Sequence, residues 1–202
     1  DTWGEVTILH ASDPQAQDYF GEAVSISGDT LIVGVNAEDG GEGDPVSSAG
    51  TVYVFARNQG GADNWGEVTI LRASDIQAYD RFGSAVSVSG DTLVVGAFLE
   101  DGGPGDPITN TGAAYVFTRE DGAWQETIPL HASDMQALDG FGYAVSASGD
   151  VLVVGAPNED GGVGDPITDT GAAYLFTRNQ GGADTWGEVV ILRASDAQAG
   201  DE

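Results

Sequence analysis

Short runs of alternating apolar and polar residues, broken by glycine- and aspartate-rich turns, make up most of this chain. In the first period they fall at 22–27, 30–35, 51–56 and 65–71, and Val, Ile and Thr are frequent in them. Alternation with a period of two puts successive side chains on opposite faces, which predicts β-strands. Ser-Gly-Asp at 27–29, 89–91 and 148–150 predicts tight hairpins between the first two strands of each set. No segment sustains a 3.6-residue period, so no helix is expected.

The runs recur. Ala-Ser-Asp-x-Gln-Ala-x-Asp occurs at 11–18, 73–80, 132–139 and 194–201, offsets of 62, 59 and 62 residues. Phe-Gly follows the first three copies at 20–21, 82–83 and 141–142. Residues 1–81 also align with 122–202 without a gap, and the position before Ala-Ser-Asp alternates His10, Arg72, His131, Arg193. Four antiparallel strands per period of this length match the blade of a β-propeller; leucine-rich and β-helix repeats have shorter periods. The expected fold is all-β and propeller-type, with three full repeats and part of a fourth. Its units are 1–62, 63–121, 122–183 and the opening of a fourth at 184–202. Small Ala23, Ser25 and Ser27 suit a crowded inner strand. The four tryptophans, with Tyr53, Tyr115, Tyr174 and Phe55, Phe117, Phe176, are expected between blades.

Composition narrows the partners. The 202 residues include 33 acidic and 6 basic side chains, all of the latter arginine, for a formal charge of −27. Such a surface repels phosphates and anionic lipid, so neither nucleic acid nor membrane insertion is expected. Hydrophobic residues reach 41%, enough for a packed core, so the acidity does not signal disorder. No apolar stretch approaches the roughly 18 residues of a membrane-spanning helix. No signal peptide is visible and the chain opens within a repeat, which reads as mature or trimmed material. There is no cysteine, so no disulfide scaffold is expected.

Phe-Gly, then Ala-Val-Ser-x-Ser-Gly-Asp, then Leu-Val-Val-Gly-Ala-Pro, then Gly-Ala-Ala-Tyr-x-Phe stands whole at 141–176. This resembles the FG-GAP repeats of integrin α-subunit heads, in a bacterial-type variant without the usual calcium loop. The Gly-Ala-Pro element survives only at 155–157; the other copies read Gly34-Val35-Asn36 and Gly96-Ala97-Phe98. The resemblance implies radially arranged blades with the Phe-Gly strand nearest the axis, and an adhesive, extracellular or cell-surface role. Its usual calcium loop lies between strands 1 and 2. Here that connection is Ser-Gly-Asp plus one residue, too short to wrap a cation with six or more oxygens.

Strands that alternate in direction put the 4–1 and 2–3 connections on one face, which should therefore be acidic. The candidate cation ligands there are Asp13, Asp18, Glu38, Asp39 and Asp44, with Asp75, Asp80, Glu100, Asp101 and Asp106 in the second repeat. Asp134, Asp139, Glu159, Asp160 and Asp165 complete the set in the third. Glycines between these carboxylates allow the tight fold that a hard cation such as Ca²⁺ needs. The alternative is plainer: Asp13 caps its own turn and the loops are solvated. The His/Arg position is expected to face the neighbouring Asp13-type carboxylate. Arg57, Arg119 and Arg178 are expected at the opposite face.

No reaction constellation emerges, since both histidines occupy positions that other repeats fill with arginine. There is no cysteine nucleophile, no nucleophile elbow, no zinc spacing and no lysine for a phosphate cradle. The expected function is a non-enzymatic extracellular module that binds a protein or glycan through its acidic loop face. A surface filament of stacked blades is the alternative, and part of an enzyme-bearing propeller the third. Three blades do not close a propeller of about four to eight. More repeats in the same polypeptide, association of several copies, or an open superhelix would each cover the end faces.

Overall fold

The computed structural model describes residues 4–40, 46–102, 108–161 and 168–196. Among the described residues, twelve strands form three antiparallel sheets, each with its four strands in chain order. The first sheet holds β1 (Ala23–Ser27), β2 (Thr30–Val35), β3 (Thr51–Arg57) and β4 (Trp65–Leu71). The second holds β5 (Ala85–Ser89), β6 (Thr92–Ala97), β7 (Ala113–Glu120) and β8 (Ala123–Leu130). The third holds β9 (Ala144–Ser148), β10 (Val151–Ala156), β11 (Ala172–Arg178) and β12 (Trp186–Leu192). The fourth strand of each sheet comes from the opening residues of the next sequence period, so every sheet straddles a repeat boundary.

The period-two pattern decides what meets what. Ile32, Val52, Val54 and Leu71 on one face of the first sheet pack against Leu93, Val95, Tyr115 and Phe117 of the second. Val94, Val116 and Leu130, on the other face of the second sheet, pack against Leu152, Val154, Tyr174 and Phe176 of the third. A shift of one residue would carry each set to the opposite face of its sheet and break both seams. The expected inter-blade placement holds for Tyr115, Phe117, Trp124, Tyr174, Phe176 and Trp186, whereas Tyr53, Phe55 and Trp65 lie on the outer face of the first sheet with Leu9, Ala11 and Phe20. Phe82 sits edge-on to Tyr115 at 5.3 Å and to Phe117 at 6.1 Å, and Phe141 repeats this with Tyr174 and Phe176.

First strands of successive sheets are joined through serine. Val88 N donates to Ser25 Oγ and Ala147 N to Ser87 Oγ, both at 3.0 Å. Gly34 admits the next blade: a Cβ there would lie 2.0 Å from the Gly83 carbonyl oxygen. Gly50, at φ +89°, meets Phe82 O even more closely. The Phe-Gly pair and these two glycines are thus two halves of one joint. Each third strand also carries a register shift before its phenylalanine, at Val54/Phe55, Val116/Phe117 and Leu175/Phe176.

Candidate functional site

The loops that follow β4 and β8, and those between the second and third strands of each sheet, lie at one end of the blades. They bring the sequence-derived carboxylates together. Glu38 is 1% exposed; its Oε2 accepts from Gly40 N at 2.9 Å and from Thr51 Oγ1 at 2.6 Å. Glu100 and Glu159 accept from Gly102 N and Gly161 N in the same way, at 2.8 and 2.9 Å. Asp39, Asp101 and Asp160 take the amides of Ser48, Asn110 and Asp169 at 2.6, 2.7 and 2.9 Å. Each Glu-Asp pair stitches the two ends of its loop together. Glycine after the pair supplies the turn, with Gly40 at φ +85°.

The other carboxylates divide the work differently from the expectation. It is Asp18, Asp80 and Asp139 that close their own turns, accepting from the amides of Gln15, Gln77 and Gln136 at 2.7, 3.0 and 2.6 Å. Asp13 instead accepts from the buried Tyr53 hydroxyl, and Asp75 and Asp134 from Tyr115 and Tyr174 at 2.8 and 2.9 Å. Asp44, Asp106 and Asp165 lie outside the described residues.

Burial, and then the neighbouring carboxylates, push Asp80 up to about 7 and Asp139 up to about 6, against the opposing pull of the Gln77 and Gln136 amides. Asp18 is raised by the same causes. The three tyrosine hydroxyls are raised too, by burial and by their aspartate partners.

The His/Arg position reaches further than its local aspartate. Arg193 donates to Glu159 through Nε and Nη2, and Nη2 also lies 2.6 Å from Asp134 Oδ2. Arg72 Nη2 donates to Glu38 Oε1 at 3.3 Å, and His131 Nδ1 stands 3.8 Å from Glu100 Oε2. Each arginine thus ties the end of a fourth strand to the buried glutamate of its own sheet, and His131 holds the equivalent place in the second. At the opposite end, Arg57, Arg119 and Arg178 pair with Asp29, Asp91 and Asp150 at 3.1, 2.7 and 3.1 Å. They also stack over Trp65, Trp124 and Trp186.

Three contributors escaped the sequence reading: the tyrosine hydroxyls, Thr51, and the serine of Ala-Ser-Asp. Ser12, Ser74 and Ser133 donate by amide and hydroxyl to Glu67, Glu126 and Glu188. Their recurrence in step with the glutamates was the available signal.

Calcium fits the family's usual place poorly. The connection between first and second strands is the two-residue turn Gly28-Asp29, and Asp29 is engaged by Arg57. On the acidic face, no group of three or more His, Cys, Asp or Glu among the described residues is arranged to hold a metal ion.

One seam of this face is apolar. Phe98, Leu99, Leu138, Tyr143 and Pro157 line a groove between the second and third blades, with Asn110, Asn158 and Asp169 beside them. Leu138 is 59% and Tyr143 58% exposed, and Tyr143 stands edge-on to Phe98 at 5.5 Å. At the first seam the corresponding positions hold Asn36, Tyr79 and Ser84 instead of Phe98, Leu138 and Tyr143.

The FG-GAP repeat model matches residues 3–55, 65–117 and 124–176. A search of curated proteins found no match. Repeats of this type form propeller-like ligand-binding or structural modules, typically in extracellular or surface proteins, and are generally non-enzymatic. Three consecutive matches, in phase with three four-stranded sheets joined at their Phe-Gly pairs, place this chain in the FG-GAP repeat family.

Proposed function

We propose that the chain is a non-enzymatic extracellular module that holds a protein or glycan ligand at its acidic loop face. The groove between the second and third blades carries this reading. Large apolar side chains exposed together beside polar ones are the signature of a contact surface, whereas a merely solvated face has no use for them. Tyr143 and Phe98 offer aromatic surface to an apolar side chain or a sugar ring, and Asp169 with the asparagines offers oriented polar contacts. The surrounding carboxylates would speed encounter with a cationic partner and repel an anionic one.

Glycan arrays and immobilised cationic peptides test this directly. Wild-type chain should bind a subset of probes, and Leu138→Asp with Tyr143→Ala should weaken that binding by about tenfold or more, at an unchanged melting temperature. Equal binding by both proteins would overturn the reading.

A second reading, a structural array of stacked blades, is favoured by the apolar end sheets, where Val24 is 66% and Leu192 52% exposed.

A further inference from the structure

We infer that the outer face of the third sheet takes the first blade of a second copy of this chain, with residues 4–9 of that copy replacing β12 on β11. The inference concerns the end faces and stands apart from ligand binding at the loops.

The two seams within the chain set the pattern. Phe82-Gly83 enters against Gly34 and Gly50, and Phe141-Gly142 against Gly96 and Gly112, each so close that a Cβ on the receiving glycine would fall within about 2 Å of a carbonyl oxygen. Backbone bonds lock both joints, from Phe82 N to Ala49 O and from Phe141 N to Thr111 O, each 2.9 Å. The third sheet repeats the receiving half. Gly155 and Gly171 stand where Gly96 and Gly112 stand, but a Cβ on Gly155 would meet nothing nearer than Ala144 at 3.5 Å.

The first blade repeats the inserting half. It carries Phe20-Gly21, and a Cβ on Gly21 would meet nothing within 4 Å. Val24 and Ile26 are 66% and 59% exposed, while their counterparts Val86 and Val88 are 9% and 6% exposed inside a seam. The serine joint extends as well. Ser146 and Ser148 correspond to Ser25 and Ser27, which accept from Val88 N and Gly90 N, so they are placed to accept from Ile26 N and Gly28 N of the second copy.

Strand exchange follows from the connectivity. In each internal seam the segment before the inserting loop is the fourth strand of the receiving sheet, as Trp65–Leu71 is for the first. Residues 4–9 of the second copy would therefore claim the place of β12. They are suited to it, because 4–9 has the same sequence as 66–71 and differs from 187–192 only in Thr7 against Val190. In their own copy they join no strand ladder. In the exchanged register Glu5 faces Phe176, Thr7 faces Leu175 and Leu9 faces Ala173. The ladder of the displaced strand is replaced by an equivalent one, so the covered apolar faces have to outweigh the Arg193 bonds to Glu159 and Asp134 that leave with β12. Two contacts are lost: Val151 stands where Thr30 and Thr92 accept from Arg119 and Arg178, and the incoming His10 stands where Arg193 donates to Glu159 and Asp134.

Sedimentation of the 20.7 kDa chain tests the contact. The mass should grow with concentration, and Gly155→Ala, which puts a Cβ into the receiving slot, should weaken association by about 100-fold without lowering the melting temperature. The chain has no cysteine, so Thr7→Cys with Leu175→Cys supplies a clean reporter. Within one copy these positions lie two sheets apart, and oxidation should give linked multimers. A single-copy mass at every concentration, with no cross-link, would overturn the inference. Association that Gly155→Ala abolishes, without the disulfide between the two substituted positions, would overturn the strand exchange and leave simple stacking.

Discussion

Arg193 grips Glu159 with two parallel hydrogen bonds, Nε to Oε2 at 3.1 Å and Nη2 to Oε1 at 3.0 Å. Glu159 is fully buried, and the guanidinium is its link to the end of β12. A carboxylate withdrawn from water is tolerable only while its donors remain. Arg193→Met should therefore destabilise the chain by about 2 kcal/mol, part of which Glu159→Gln in the same molecule should restore. Denaturant melts of the two single variants and the double variant measure this coupling.

Gly96 has no room for a side chain, since a Cβ would lie 1.9 Å from the Gly142 carbonyl oxygen. The obstacle is backbone from the next blade, which cannot swing aside. Gly96→Ala should cost about 3 kcal/mol or more, whereas Gly155→Ala, at the equivalent position of the third sheet, should stay within about 0.5 kcal/mol of wild type. Thermal unfolding of the two variants side by side makes the comparison.

Asp80 and Asp139 are raised to about 7 and about 6 from an ordinary value of 3.8. The folded state thus holds these protons more tightly than the unfolded chain does. Their contribution to stability is complete below pH ~4 and is lost as pH rises through 6 and 7. Melting temperature should accordingly fall between pH 5 and pH 8. Asp80→Asn, which keeps an oxygen for the Gln77 amide, should flatten that slope. A slope of the same size in the variant would assign the effect to other groups.

Blade two carries His131 where the flanking blades carry Arg72 and Arg193. His131→Arg should stabilise the chain by about 1 kcal/mol, by giving buried Glu100 the guanidinium donors that Arg72 and Arg193 bring to Glu38 and Glu159. Thermal melts of the variant beside the wild type check it.

Calcium should act on this protein as ionic strength does. The described loop carboxylates already accept from backbone amides, tyrosine and arginine, so a cation would have to displace those donors. Equal ionic strengths of calcium and sodium chloride should give the same melting midpoint, and a chelator should change nothing. A calcium-specific rise would point to a site that includes the loop tips.

The repeat of Phe-Gly with Ser-Gly-Asp made the blade legible, because strand alternation and hairpin chemistry are local properties. The acidic face was legible for the same reason: once strands alternate in direction, Asp18 and Glu38 must emerge at the same end. What those carboxylates bind was not legible. Asp13 reaches Tyr53 across 40 residues and Arg193 reaches Asp134 across 59, and spacing alone does not rank such distant donors.

The clearest division lies in Gly-Glu-Val-Thr-Ile-Leu, which stands at both 4–9 and 66–71. At 66–71 it lies within strand β4, paired with β3; at 4–9 it belongs to no ladder. Sequence by itself determined that both copies favour an extended, alternating conformation, since that is a matter of side-chain shape and polarity. Only the tertiary structure decided which became a strand, because a ladder's hydrogen bonds need a second backbone alongside, and folding places one beside 66–71 alone.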